Sequence, residues 1–279
     1  MRKLGILAGG GRLPIELAER CATAGRPVFV IRMKGFFDHE LTRFPGAEAG
    51  VAELGRMFDL LRQAGCEAVC FAGIVKRPNL SALKPDFRGL KSLPGALSAA
   101  REGDDALLRF LVAEFEREGF TVEGADAVDE ALTLQAGPLG KQQTGPEHAG
   151  DLARAVEVAR AIGRLDIGQS VVVAEGLVLA VEAQEGTDAL LARTANLPQA
   201  LRGTADARKG VLVKWPKPIQ ERRVDLPTIG VATVEGAAKA GLAGIAGEAR
   251  GLLVLERAQV IAAADQLGLF IVGLEPGPE

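Results

Sequence analysis

The sequence predicts an α/β protein of two domains, the first built on a parallel sheet and the second on a mixed sheet. Segments with strand and helix patterns alternate over residues 3–73, which is typical of parallel strands joined by crossover helices. Residues 136–146 combine glycines and prolines without any periodic pattern, as linkers do. Strands and helices resume after this stretch and include a tight hairpin. We therefore expect a first domain of residues 1–135 and a second domain of residues 136–279.

Composition narrows the class of protein before any motif is considered. The chain has 279 residues, of which 48% are hydrophobic and 25% charged, enough for one large domain or two of ordinary size. A net charge of −3 and an aromatic content of 4% argue against nucleic acid as a partner. Three cysteines form no disulfide framework and fit a reducing compartment, and no apolar stretch approaches a membrane-spanning length. We expect a cytoplasmic protein.

A glycine loop follows the first predicted strand, residues 3–8. Gly9–Gly11 and Arg12 lead into a helix with Pro14 in its first turn, and a strand, glycine loop and helix N-terminus in series favour anion binding. The full dinucleotide fingerprint is absent, because Pro14 replaces its third glycine and the second strand ends in Arg32 rather than an acid. Two interpretations stay open: a phosphate or nucleotide site, and a tight turn that needs glycine only for packing.

A second group of cations follows the next strand. A helix over residues 51–64 precedes a strand over 67–73, which runs into Lys76 and Arg77. Open parallel sheets bind ligands at the carboxyl ends of their strands, so these cations and the glycine loop are expected at one edge. Residues 76–91 are basic and interleaved with leucines and phenylalanine. Such a segment suits an anionic membrane or an amphiphilic substrate, with a polar loop as the alternative.

The first domain is expected to end in one more helix and strand. Asp104 precedes a strong helical pattern over residues 106–119, where it would act as an N-cap. Residues 120–125 predict another strand, and residues 127–133 a short helix.

The second domain begins with a predicted helix over residues 147–165. Residues 170–174 and 177–183 predict a hairpin, after which Thr187 or Asp188 would cap a helix. The remaining predicted elements are helix, strand, helix and strand in that order, over residues 233–242, 250–256, 256–268 and 269–274.

The stretch Lys209–Glu235 combines an apolar strand with a proline-rich, charged continuation. The strand ends in Lys214 and Trp215, and prolines then make regular helix or central strand improbable. Asp225 lies between apolar neighbours just before Pro227. A stiff segment with several cations and one acid suits an anionic ligand, and a solvated surface loop is the alternative.

The catalytic chemistry available in this chain is narrow. Only two histidines are present, and no nucleophile elbow, zinc-ligand spacing or Walker lysine occurs. Carboxylates with a hard cation remain, and magnesium usually takes one or two protein carboxylates plus substrate phosphates. Asp225 and Asp188 are the candidate acids. Lys214, Arg222 or Arg223 would offset charge that builds on a phosphoryl group.

Four segments together resemble the LpxI family, the UDP-2,3-diacylglucosamine pyrophosphatases of lipid A synthesis in some Gram-negative bacteria. The segments are LGILAGGGRLPIELA, GIVKRP, DIGQSVVV with VEAQEGTDALLAR, and GVLVKWPKPIQERRVDLPTIGVATVE. The resemblance covers essentially the whole chain, and the combination of the last two segments is the most specific part.

The resemblance implies a Rossmann-like first domain, a distinct α/β second domain and a substrate held between them. It implies magnesium-dependent hydrolysis of the pyrophosphate bond, giving UMP and 2,3-diacylglucosamine 1-phosphate. The catalytic residue would be Asp225, and Asp225 and Asp188 would hold the metal. The expected substrate-binding residues are Gly10, Gly11, Arg12, Lys76, Asp104, Gln169, Thr187 and Lys214.

The expected partners are the acylated UDP-sugar, its lipid phosphate product and the surface of the inner membrane, with a homodimer left open. The main alternative function is a non-catalytic sensor that binds a nucleotide sugar through the same cations. A nicotinamide-dependent oxidoreductase is a weaker alternative, because Pro14 and Arg32 break its fingerprint.

Overall fold

The computed structural model describes residues 1–76 and 84–277 and divides the chain into two compact units. The first unit is Met1–Glu130 together with Glu221–Asp225. The second unit is Ala131–Gln220 together with Leu226–Glu279. The short segment Glu221–Asp225 therefore packs with the first unit, although the chain on both sides of it belongs to the second.

The first unit is built on a five-stranded sheet in which every strand is parallel to its neighbours. Its strands are β1 (Leu4–Ala8), β2 (Val28–Met33), β3 (Gly46–Ala49), β4 (Ala68–Ala72) and β5 (Thr121–Val122). The strand order is β3-β2-β1-β4-β5, and β1 is buried along its whole length. This order reverses direction between β1 and β4, the position where open α/β sheets bind ligands. The predicted α/β class with a parallel first sheet is confirmed.

Helices cover this sheet and share its core with the strands. They are α1 (Leu13–Thr23), α2 (Leu54–Gln63), α3 (Phe87–Glu102), α4 (Asp104–Arg117) and α5 (Ala125–Val128). The rings of Phe58 and Phe115 are fully buried and meet edge to face with centroids 4.9 Å apart. In the basic segment 76–91, residues 77–83, including Arg77, lie outside the described part of the chain, and Phe87 starts α3.

The second unit is mixed, as predicted. Its strands are β6 (Gly137–Leu139), β7 (Ser170–Ala174), β8 (Leu177–Val181), β9 (Val211–Lys214), β10 (Thr228–Ile229), β11 (Gly244–Glu248), β12 (Leu253–Val254) and β13 (Phe270–Leu274). The main sheet has the order β6-β13-β11-β9-β7-β8, with β9, β11 and β13 parallel and the other pairings antiparallel. Its helices are α6 (Ala149–Arg164), α7 (Thr187–Ala195), α8 (Val231–Lys239) and α9 (Arg257–Leu267).

The strand predicted over residues 250–256 is largely wrong. Only Leu253–Val254 is extended there, in a separate two-stranded sheet with β10. One of the two central strands of the main sheet is β11, which the sequence did not reveal because glycine and alanine dominate it. Small residues are required at this place, since a Cβ on Gly244 would lie 2.4 Å from the ring of Phe270.

Two further predictions differ in extent. The strand predicted over 120–125 shrinks to β5, and the helix predicted over 127–133 divides into α5 and a 3₁₀ turn, Glu130–Leu132. Among the described residues, no helix is long and apolar enough to cross a membrane.

The packing of Phe115 predicts a large loss of stability on truncation. Phe115→Ala should lower the free energy of unfolding by about 3–5 kcal/mol, because it removes a buried ring that contacts Phe58 and Phe71. Phe87→Ala is the matched control, since Phe87 is 85% exposed and its loss should change stability by less than about 0.5 kcal/mol. Urea unfolding followed by circular dichroism measures both, and equal effects would contradict this account of the core.

Candidate functional site

The loops that follow β1 and β4 are joined at the carboxyl edge of the first sheet. Gly10 N–H donates to Ile74 O (2.9 Å) and Ile74 N–H donates back to Gly10 O (2.8 Å). Gly9 N–H donates to Ala72 O (2.8 Å). The main-chain donors of Gly9 and Gly10 are therefore used within the fold.

Close packing explains why the first part of this loop is glycine. A Cβ on Gly9 would lie 2.7 Å from Ile74 O, and one on Gly10 would lie 2.8 Å from Phe36 O. Gly11 differs, because it has a φ of +89° and open space around its missing Cβ. The packing interpretation thus accounts for Gly9 and Gly10, while Gly11 is the position of the loop that is open to a ligand.

The two predicted cations of this edge have different surroundings. Arg12 directs its guanidinium to the carboxylate of Glu40, with Nη1 and Oε2 3.3 Å apart. Lys76 is exposed and follows the Gly10–Ile74 bridge by two residues. Lys76 is therefore near the joined loops along the chain, whereas the charge of Arg12 is already offset by an acid.

The segment Glu221–Asp225 forms a turn where β5 ends. Gly124 follows β5, and a Cβ on it would lie 3.2 Å from Cα of Arg223. The carboxylate of Asp105 in the first turn of α4 accepts from Glu221 N–H (2.7 Å). Asp225 is half-buried, and its N–H donates to Glu221 O (3.2 Å), which closes the turn. Parallel strands end at one edge, so the turn that carries Asp225 lies on the same side of the sheet as the glycine loop.

Ion pairs hold this turn in place. The guanidinium of Arg223 donates to both carboxylate oxygens of Glu221 (2.9 Å each) and to Glu116 (2.7 Å). These hydrogen bonds lower the pKa of Glu221 and raise the pKa of Arg223. A lowered carboxyl pKa stabilises the fold above the ordinary value of 4.5, and this contribution is lost as the pH falls through the lowered pKa. Arg223 therefore anchors the turn.

Sequence reasoning singled out Asp104 and missed its neighbour. Gly103 occupies the cap position of α4, and both aspartates lie in the first turn. Asp105 is buried and pairs through Oδ2 with Arg109 (2.7 Å). The signal in the sequence is the spacing of four residues between Asp105 and Arg109, which is typical of an ion pair on one helix face.

In the second unit, Lys214 and Gln169 meet at the carboxyl end of β9. Lys214 pairs in register with Ser170 at the start of β7, and Trp215 N–H donates to Gln169 O (2.9 Å). Lys214 is only 6% exposed, and its Nζ donates to Thr228 O (2.8 Å). A buried ammonium group at a strand end suits an anionic ligand group.

Thr187 joins the same edge through a buried acid that the sequence reading did not identify. Thr187 Oγ1 donates to Glu182 Oε1 (2.9 Å), and Gln169 N–H donates to Glu182 Oε2 (3.3 Å). Ser170 Oγ lies 3.2 Å from Thr187 Oγ1. The second unit therefore brings Gln169, Thr187 and Lys214 together around Glu182, which follows β8 directly.

Asp188 lies next to this cluster in the chain and is exposed. It occupies the first turn of α7, where a negative charge also stabilises the helix. Residues 1–76 and 84–277 contain no group of three or more His, Cys, Asp or Glu side chains placed to hold a metal ion. A magnesium ion usually takes only one or two protein carboxylates, so its site would contain fewer than three such side chains.

Two family models cover nearly the whole chain. The LpxI N-terminal domain matches residues 3–132, and the LpxI C-terminal domain matches residues 135–272. The UDP-2,3-diacylglucosamine pyrophosphatase LpxI of Caulobacter vibrioides is 62% identical over 276 residues, which is 99% of each chain. Among solved structures, the CobK precorrin-6A reductase is 13% identical over 100% of this chain and 91% of its own, with a TM-score of 0.34 that supports no further argument.

The anchoring of the Asp225 turn by Asp105 can be tested by hydrogen exchange. Asp105→Ala removes a charged acceptor worth about 1.5–3 kcal/mol, so the Glu221 amide should exchange about ten- to a hundredfold faster. Asp151→Ala is the matched control, because Asp151 accepts from the amides of Glu175 and Gly176 in the second unit. That variant should leave the Glu221 amide unchanged, and an unchanged amide in Asp105→Ala would contradict the anchoring role.

Proposed function

The chain belongs to the LpxI family, and from this premise we propose that it hydrolyses the pyrophosphate bond of UDP-2,3-diacylglucosamine. The products are UMP and 2,3-diacylglucosamine 1-phosphate, in the biosynthesis of lipid A. The 62% identity to a pyrophosphatase of that name over 99% of both chains carries the proposal. A non-catalytic nucleotide-sugar sensor is the less favoured alternative.

The side chains at the two sheet edges support phosphoryl chemistry. Hydrolysis of a diphosphate develops negative charge on the oxygen that leaves, and fixed cations stabilise it best where water is excluded. Lys214 is a buried cation, and Lys76 is an exposed one. We assign them to the anionic part of the substrate.

Asp225 is the acid that we propose for catalysis. Its turn is fixed by the Asp105 bond to Glu221 and by the ion pairs of Arg223, and Val224 packs against the core directly before Asp225. A carboxylate on a rigid turn is already held in one geometry, so little conformational entropy is lost when the transition state forms. Asp225 would take the proton of the attacking water or hold the metal.

The proposed magnesium ion fits the chemistry of the available donors. Asp225 and Asp188 provide hard carboxylate oxygens, the ligand type that magnesium prefers. When bound, the ion would polarise a P–O bond and lower the pKa of a coordinated water. The half-buried Asp225 is the stronger candidate ligand of the two, because the exposed Asp188 loses more side-chain freedom on binding.

Release of UMP from UDP-2,3-diacylglucosamine tests this function. Asp225→Ala should reduce kcat by about 10²–10⁴-fold, the range for loss of a positioned acid or base. EDTA should stop the wild-type reaction, and added Mg²⁺ should restore it. Asp59→Ala, at an exposed aspartate of α2, is the matched control and should turn over normally.

The outcomes separate the competing functions. Turnover that survives Asp225→Ala would contradict the role of Asp225, and turnover that resists EDTA would contradict the metal. Tight binding of the substrate by wild-type protein with no release of UMP would favour the sensor.

We also propose that the first unit contacts an anionic membrane surface. Ile74 and Val75 at the end of the β4 loop are exposed, as are Phe87 and Leu90 at the start of α3. The exposed cations beside them in the chain are Lys76, Lys84, Arg88 and Lys91. Exposed apolar side chains among cations are typical of proteins that insert shallowly between anionic lipid headgroups.

Sedimentation with vesicles tests the membrane contact. The double variant Phe87→Ala/Leu90→Ala should bind anionic phosphatidylglycerol vesicles several-fold more weakly, because each side chain loses buried apolar area. Leu177→Ala, at an exposed leucine of the second unit, is the control. Equal binding of all three proteins, or equal binding to neutral phosphatidylcholine, would contradict the proposal.

A further inference from the structure

A directed chain of hydroxyl groups ends on the buried acid Glu182. Glu182 is 6% exposed. Its two oxygens accept from Thr187 Oγ1 (2.9 Å) and Gln169 N–H (3.3 Å). Ser170 Oγ is the next member, 3.2 Å from Thr187 Oγ1, and Ser170 is fully buried.

The direction of hydrogen-bond donation along this chain follows from the number of protons that each group can donate. Thr187 carries a single hydroxyl proton, and it donates that proton to Glu182 Oε1. The contact between Ser170 and Thr187 must then be donated by Ser170. Thr187 Oγ1 has one lone pair left, and it can meet a ligand only as an acceptor.

A second acceptor belongs to the same cluster. Gln169 Oε1 is buried and has no hydrogen-bond partner among the residues that the structure describes. Buried polar atoms without partners are rare in native proteins, and each calls for an explanation such as a ligand. The main chain of Gln169 is hydrogen-bonded to Glu182 and to Trp215, and these two bonds fix the position of its Cα.

We infer that Thr187 and Gln169 form an acceptor site for hydroxyl or N–H groups of the substrate, rather than for its phosphoryl oxygens. Glu182 is the positioning residue that sets the polarity of the site: it accepts the Thr187 proton and so leaves Thr187 Oγ1 as an acceptor for the ligand. The inference rests on the proposed function for the identity of the substrate, whose sugar, acyl amide and uridine offer donors of this kind. The cations then bind the diphosphate, and one of them, Lys214, lies at the same edge as this acceptor site.

Glu182→Gln tests the polarity because it keeps the shape of the side chain. Gln169 N–H still needs an acceptor, so the new amide oxygen turns to Gln169 and the new NH₂ group donates to Thr187. The Ser170 hydroxyl keeps its donation, since it is fully buried and makes no other side-chain hydrogen bond within the described part of the chain. The Thr187 proton then points to the ligand, and KM should rise about tenfold with little change in kcat.

Ser170→Ala is the matched control, because it removes the other hydrogen bond of Thr187 and leaves the polarity intact. Its KM should stay close to the wild-type value. A fall in KM for Glu182→Gln would show that the ligand offers an acceptor, such as a phosphoryl oxygen, and would overturn the inference. Equal rises in KM for both variants would also overturn it, since they would indicate a merely structural role.

A substrate-free readout keeps the inference separate from the proposed function. The Thr187 hydroxyl proton, followed by NMR in threonine-labelled protein, should exchange slowly in the wild type and in Ser170→Ala. It should exchange fast in Glu182→Gln. A fast proton in the wild type overturns the inference, whereas a wild type that releases no UMP overturns the proposed function alone.

Discussion

Parallel strand pairing is the constraint on which the rest of this structure depends. Because paired parallel strands run in one direction, the loops that leave them gather at a single edge. In the first unit this edge holds the glycine loop, Lys76 and the turn of Asp225. In the second unit it holds Lys214, with Gln169 and Thr187 brought in from the antiparallel hairpin beside it. In both units, strand pairing rather than a contiguous sequence motif brings the polar groups together.

Hydrogen bonds and ion pairs with charged side chains hold the polar groups at these edges in place. Asp105, Glu221 and Arg223 fix the turn that ends in Asp225, and Glu182 fixes Thr187 and Gln169. Burial strengthens such hydrogen bonds and makes a missing partner costly. Asp225, Thr187 and Gln169 are therefore supported by charged side chains that do not need to touch the substrate.

The sequence predicted the fold class and most elements, because hydrophobic periodicity reports which face of a helix or strand is buried. It failed at β11, whose two glycines are required by the close approach of Phe270 to Gly244 and of Leu252 to Gly247 and not by strand propensity. It also failed to find Asp105 and Glu182, because their roles come from partners far along the chain, such as Glu221, or across a strand end. For Gly9 and Gly10 the residues favoured phosphate binding and packing alike, and only the structure shows that their N–H groups donate to the end of β4 and to the loop that follows it.

Hydrolysis by water is the central claim, and isotope incorporation tests it most directly. The purified protein should be incubated with UDP-2,3-diacylglucosamine and Mg²⁺ in ¹⁸O-labelled water, and both products weighed by mass spectrometry. One labelled oxygen per turnover should enter either UMP or 2,3-diacylglucosamine 1-phosphate, which also identifies the phosphorus that water attacks. Intact substrate, or products without label, would contradict the proposed reaction.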